Sequence, residues 1–281
     1  MRRAAGERNA LRRRQRRRRL LVEVASLILG LVLLIALDAE GDTEFAGDIW
    51  PREPSLESFR TVWTQGYWYL EDFWHQFGNS LIIGLATMVL TSAIGSLASF
   101  ALGRMRVRRA RLLINAALLS YVLPSAFLAI PFVRIAHAYG LADSLWSVIA
   151  AEVMFATPFA ILVLQHYARL VPVELDEAAR IDGASPLQLY LRIYLPLMAP
   201  ALAAVGTYAL LLSWSEYLYQ YMLLSTKRNW TVAVALEQFW DSDEAPWNYM
   251  MALAIIYALP PVALLYGLLR YAAPRLSGLK P

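Results

Sequence analysis

The chain has 281 residues and a mass of 31.7 kDa, of which 58% are hydrophobic and only 17% charged, with a mean hydropathy of +0.43. That is too apolar for one or two soluble domains, and the chain belongs in a membrane. The formal net charge is +4; cysteine is absent, which excludes thiol catalysis, disulfide scaffolds and cysteine-ligated metal, and lysine occurs only at Lys227 and Lys280, neither after a glycine, which excludes a phosphate-cradling loop.

In chain order, residues 1–19 form a basic tail with arginines at 12–14 and 16–19, and a first transmembrane helix is expected over 20–37, with Glu23 within snorkelling distance of those arginines. An acidic segment follows over 38–74, carrying Asp38, Glu40, Asp42, Glu44 and Asp48. A core domain over 75–271 holds five further apolar windows, about 79–103, 112–136, 144–164, 199–223 and 249–269, and a tail over 272–281 ends the chain. Six windows of this length suit six helices crossing a hydrocarbon core of about 30 Å. The expected fold is therefore all-α and integral to the membrane.

Basic residues beside a span are retained in the cytoplasm. Arginines crowd the chain before the first window, after the second (Arg104, Arg106, Arg108, Arg109, Arg111), after the fourth (Arg169, Arg180, Arg192) and after the sixth, while the other loops carry acids such as Glu237, Asp241, Asp243 and Glu244. The alternation predicts a multi-pass protein with both termini in the cytoplasm. The N-terminal arginines lie directly against a span without aromatic or glycine interleaving, which reads as topology setting and attraction to anionic lipid rather than nucleic-acid binding.

The longest internal loop inside, about 168–198, is the most informative. Pro172 and the acids Glu174, Asp176 and Glu177 open a helix in the expected way, and Gly183 is suited to close it in the left-handed conformation. Ser185-Pro186-Leu187-Gln188 then has the residue types of a capping box, so a second short helix is expected to start there, with Leu187, Tyr190, Leu191 and Tyr194 along one stripe. Ala178 and Ala179 permit close backbone approach, and Glu177 and Asp182 present carboxylates to a basic partner. From these residues alone, a hairpin lying on the membrane surface and a hairpin seated in a partner's groove stand side by side.

Glu177-Ala178-Ala179, then Gly183 after three residues and Ile193-x-Leu195-Pro196 after nine more, resembles the EAA signature of permease subunits in binding-protein-dependent ABC importers. Asn79-Ser80-Leu81, Phe100-Ala101-Leu102-Gly103-Arg104, Gly140-Leu141-Ala142-Asp143-Ser144 and Trp214-Ser215-Glu216-Tyr217 are similar to runs in the carbohydrate-uptake group, close to its maltose-type subunit with the short tail. The first span and the acidic segment depart from that group, as does the brief ending Ser277-Gly278-Leu279-Lys280-Pro281.

The resemblance implies the type I ABC importer permease fold in a bacterial inner membrane. It implies a coupling helix in which Glu177, Ala178, Ala179, Asp182, Gly183, Leu187 and Tyr190 dock on an ATP-binding subunit. The implied partners are two ATP-binding subunits, a second homologous permease and a periplasmic substrate-binding protein. ATP and magnesium belong to the ATP-binding subunits, and this chain holds no cofactor or metal and performs no bond chemistry.

Ionisable residues within spans call for a functional account. Two readings are open for Glu216, Glu152 and Arg134: a structural ion pair, or a sugar path in which Trp214, Glu216, Tyr217 and Gln220 offer a carboxylate, an amide and ring faces to hydroxyls and C–H surfaces. Trp63, Tyr67, Trp68, Tyr69 and Trp74 read as an interfacial belt or a docking surface. His75, His137 and His166 have no metal-ligand spacing, and no G-x-S-x-G surrounds a serine. The expected function is import of a sugar or related carbohydrate by alternating access. The alternatives are import of a polyamine, phosphate or amino acid through the same signature loop, and an ATP-independent channel or carrier, for which neither a pore loop nor an inverted repeat is visible.

Overall fold

A computed structural model describes residues 29–37, 54–105, 107–108, 110–119, 124–240 and 246–277. The basic tail, the first half of the first window (20–28), the acids at 38–48 and 241–244, and residues 278–281 lie outside the described residues. Residues 29–36 are helical. The helices that follow are α1 (Glu57–Thr64), α2 (Phe73–Arg104), α3 (Ala110–Leu119), α4 (Ser125–Ala138), α5 (Leu145–Ala168), α6 (Glu174–Ile181), α7 (Pro186–Leu197), α8 (Ala199–Ser215), α9 (Leu218–Leu223), α10 (Val232–Trp240) and α11 (Trp247–Ser277). No strand occurs among the described residues, as expected for a chain whose backbone groups must be satisfied within each span.

Among the described residues α2, α5 and α11 are long and apolar enough to cross a membrane, and α7 with α8 makes a fourth candidate bent by 77°. The expected spans are modified in two places. The window over 112–136 is carried by two shorter helices, α3 and α4, the second starting directly after Pro124. The window over 199–223 breaks after Ser215, where Glu216 is extended (φ −77°, ψ 129°) before α9 resumes.

The chain groups into two units. One comprises residues up to 71 and 239–258. There Val62 and Leu70 are buried, the Asn248 amide donates to the Ser58 hydroxyl at 3.1 Å, and Tyr67 meets Tyr249 edge-on at 5.4 Å. Trp68 stacks on Tyr69 at 3.7 Å, while Trp63 and Trp68 remain exposed.

The other unit comprises residues 72–238 and 259–281 and is built on α2, α5 and α8. Two of its helices approach closely at Gly95, where a Cβ would lie 2.8 Å from the Cβ of Ala160. Small residues at such a crossing let two backbones approach without a driving force from water. Two apolar clusters lie along α2. One joins Ile83 to Ile149, Val153, Tyr219 and Leu223; the other joins Phe100 to Leu164, Tyr190, Tyr194 and Met198. Ile82, Val89 and Leu97 of α2 and Phe127 and Ile130 of α4 stay exposed, an apolar exterior suited to lipid or to another membrane helix.

Polar groups pin the two ends of α2. At its start the Asn79 amide donates to the carbonyls of Arg228 (2.8 Å) and Trp230 (2.9 Å), and Ser80 Oγ accepts the N–H of Val232 at 3.1 Å. Its last residues carry the hairpin of α6 and α7.

Candidate functional site

The hairpin closes as its residues dictate. Gly183 has φ +83°, its N–H donates to Arg180 O (3.1 Å), and the N–H of Ala184 reaches Ala179 O (2.9 Å), the paired bonds of a Schellman motif. Ser185 Oγ then accepts from Gln188 N at 3.3 Å while Gln188 Oε1 accepts from Ser185 N at 2.8 Å, a complete capping box. The turn leaves Glu177, Ala178, Asp182, Gly183 and Leu187 exposed and Ala179 half-buried, with Ile181 at the tip 87% exposed.

The second helix departs from the expected stripe. Residues Leu189–Tyr194 wind as a π-helix, with the N–H of Leu195 bonding five residues back to Tyr190 O just before Pro196. The wider turn directs Leu189, Tyr190 and Tyr194 inward and leaves Leu187 and Leu191 outside. Tyr190 shares a 2.7 Å hydrogen bond with Ser96, Tyr194 donates to Ser99 Oγ at 2.9 Å, and both rings pack on Phe100. Tyr190 is thus on the inner side of the hairpin, where half-buried Ala179 packs on the same cluster, while the other five residues expected to dock are exposed.

Sequence reasoning missed how the first helix is held. Arg104, the last residue of α2, and Asp176 of α6 form an ion pair at 3.0 Å in which both side chains are less than a tenth exposed. The same guanidinium donates to Ala168 O (3.2 Å) and Val171 O (2.9 Å), and Arg180 donates back to Arg104 O (3.3 Å). In the sequence Arg104 reads as a topology signal at the end of a run shared with a known group and Asp176 as an acid in a first helical turn, and neither reading pairs them.

The break between α8 and α9 is closed by its own acid. The Glu216 carboxylate accepts the N–H groups of Tyr219 (3.0 Å) and Gln220 (3.1 Å), capping α9 where a membrane offers no water to the freed donors. Glu216 also lines a cavity of about 400 Å³ with Ser125, Met154, Phe155, Tyr208 and Tyr219. The other three residues of the expected path lie elsewhere: Trp214 is buried beside Gly84 and meets Phe77 edge-on, Tyr217 stacks on Tyr221, and Gln220 is fully buried.

Gln220 belongs to a buried polar cluster. Its amide donates to Glu152 Oε1 and Ser213 O, each at 3.0 Å, its carbonyl accepts the Thr231 hydroxyl, and Thr87 donates to Glu152 Oε2 at 2.9 Å. The ion pair considered for Glu152 is therefore not formed: both its oxygens are occupied by neutral donors, and Arg134 is exposed.

Near the start of α5, the turn over 140–144 is locked by Asp143, itself in the left-handed region at φ +54°. Its carboxylate accepts the N–H groups of Ser225 (2.7 Å) and Thr226 (3.1 Å) and the Thr226 hydroxyl (2.8 Å). Burial alone would raise its pKa, but these donors outweigh it and hold the group below its ordinary value of 3.8.

An exposed, sharply closed hairpin carried on long apolar helices, with an interrupted helix beside a cavity, marks a helical integral membrane protein. The chain belongs to the family of binding-protein-dependent transport system inner membrane components, which it matches over residues 92–278. It is 31% identical to the inner membrane ABC transporter permease protein YcjP of Escherichia coli over 219 residues, 78% of this chain and 76% of that one. It is 36% identical to the trehalose transport system permease protein SugB of Mycobacterium tuberculosis over 184 residues, 65% of this chain and 67% of that one. Its fold is that of a chain in a bacterial ABC transporter involved in import of the acidic polysaccharide alginate, with a TM-score of 0.72 at 18% identity, covering 90% of this chain and 96% of that chain.

Proposed function

We propose that this permease carries a sugar or related carbohydrate into the cytoplasm by alternating access, driven by ATP hydrolysis in separate subunits. The observation that carries the reading is the hairpin closed at Gly183, which stands exposed with Ile181 and Leu187 beside the acid Glu177. An apolar tip rimmed by carboxylates suits a groove in a water-soluble partner better than open solvent.

In this reading Glu177, Ala178, Ala179, Asp182, Gly183 and Leu187 contact an ATP-binding subunit, and Tyr190 supports them from behind. Two such subunits hold ATP and magnesium, a second permease completes the path, and a periplasmic binding protein delivers substrate; the termini and hairpin lie on the cytoplasmic side. The sugar path runs past Glu216, Tyr208 and Tyr219, whose carboxylate and rings match hydroxyl and C–H surfaces, while Trp214, Tyr217 and Gln220 hold the broken span in shape. The trehalose named for one relative supports a carbohydrate.

The test is affinity purification of the chain from its native membrane, followed by uptake of radiolabelled disaccharides in vesicles. An ATP-binding subunit is expected to come with the parent chain and to be lost when Glu177→Ala and Gly183→Val are combined. Retention by that variant, or no ATP-dependent uptake by the parent, sinks the reading. Glu216→Gln is expected to raise the apparent KM for the sugar, and an unchanged KM in an intact complex removes Glu216 from the path.

A further inference from the structure

The hairpin packs on α5 and is tied to α2 by polar contacts. Tyr190 and Tyr194 bond to Ser96 and Ser99, and Arg104 clasps Asp176. Asp176 is the single residue of α6 whose side chain is buried; the neighbours on either side, Leu175 and Glu177, are exposed. A helix of eight residues has little stability of its own, so its direction is set by whatever fixes that one side chain. Arg104 fixes it, and it simultaneously binds the backbone carbonyls of Ala168 and Val171 at the end of α5. Its planar fork thus joins the ends of two long helices to the short one.

We propose that the Arg104–Asp176 pair is the latch that turns displacement of the hairpin into displacement of α2 and α5, making Arg104 and Asp176 positioning residues of the transport cycle. The inference rests on the ATP-driven reading for what pushes the hairpin, and on the ion pair alone for how the push is passed on. The close approach of Gly95 to Ala160 makes α2 and α5 respond together, since neither can slide toward the other without backbone overlap. A pair with one member removed leaves a buried charge unmatched, so α6 then settles away from its seat while the tyrosines still hold α7.

Two measurements on the full transporter in lipid vesicles test this. The first is the number of substrate molecules taken up per ATP hydrolysed. Asp176→Asn is expected to lower it by about tenfold, in the ordinary range of coupling between sites. A role in folding alone would reduce the amount of complex and leave this ratio unmoved. The second uses the absence of cysteine to attach spin labels at Leu97→Cys on α2 and Ile181→Cys at the hairpin tip, both exposed, and reads the distribution of distances between them. Asp176→Asn is expected to broaden it.

Support requires both changes; an unchanged ratio or an equally narrow distribution overturns the latch. Where Asp176→Asn fails to insert, Arg104→Lys serves, because an ammonium keeps the charge without the fork and is expected to give a smaller loss in both readouts. If the parent complex shows no ATP-dependent uptake, the transport reading fails separately, and the label distances still decide whether the pair fixes the hairpin.

Discussion

Gly183 offers a substitution whose cost can be worked from the backbone alone. A Cβ added there meets nothing within 4 Å, so the first side-chain carbon adds no clash and the cost traces to φ +83°. An L-residue in the left-handed region costs about 1–2 kcal/mol, and a β-branched one sits at the upper end. The chain can escape only by opening the cap, which forfeits the bonds from Gly183 N to Arg180 O and Ala184 N to Ala179 O, worth roughly 0.5–1.5 kcal/mol each. The strain is the smaller of the two and is what separates Val from Gly in the closed form, so Gly183→Val is expected to reduce the closed hairpin by roughly 5- to 30-fold relative to open forms. Gly183→Asn tolerates the left-handed region and is expected to lose a few-fold at most. The assay is ATP-dependent uptake by equal amounts of inserted protein, with co-purification of the ATP-binding subunit in parallel. Equal losses for Val and Asn would refute the reasoning, since they would trace the requirement to the missing side chain and not to backbone conformation.

Three further outcomes follow from the packing and the polar contacts. Gly95→Leu is expected to prevent α2 from seating on α5, because even its Cβ lies 2.8 Å from Ala160 Cβ; detergent-solubilised protein should aggregate or melt at markedly lower temperature, and a normal melting curve contradicts the close crossing. Glu152→Ala is expected to destabilise the protein by about 1–3 kcal/mol by stranding the Thr87 hydroxyl, and Glu152→Gln by less, because Thr87 can turn and accept; thermal unfolding in detergent reads the difference, and equal losses argue against the cluster. Asp143 has a lowered pKa, so its contribution is present above the pKa of the unfolded chain and lost only as pH falls through the lower folded value. Exchange protection at the amides of Ser225 and Thr226 should therefore persist to below pH 3.8, and loss of protection well above that value contradicts the assignment.

What was legible in the sequence was local. Gly183, Ser185 and Gln188 announce the hairpin because a left-handed cap and a capping box need only neighbouring residues. Long apolar windows announce α2, α5 and α11 for the same reason. The residues that attach the hairpin were not legible, since Arg104 and Asp176 are 72 positions apart and each alone has an ordinary surface explanation. Tyr190 was misdirected by arithmetic: a stripe drawn at 3.6 residues per turn fails where the backbone takes a π turn, and only the proline at 196 hints at that. The break at Glu216 carries neither glycine nor proline, so nothing marked it beyond the acid itself. The runs resembling a known group acquire physical reasons in retrospect, with Asn79 and Ser80 fastening the segment over 228–232 and Phe100 receiving two tyrosine rings.

The way Glu216 finishes the interruption between α8 and α9 bears on how the chain is made. A helix interrupted in hydrocarbon ordinarily has to wait for a neighbour to supply acceptors for its loose amides, which would tie its maturation to the arrival of another chain. Here the acceptor is three residues away on the same strand of polypeptide, so the interruption is complete as soon as that stretch leaves the insertion machinery. At this point in the molecule, then, the freed amides need nothing from a second chain, and residues elsewhere are free to diverge without reopening the break.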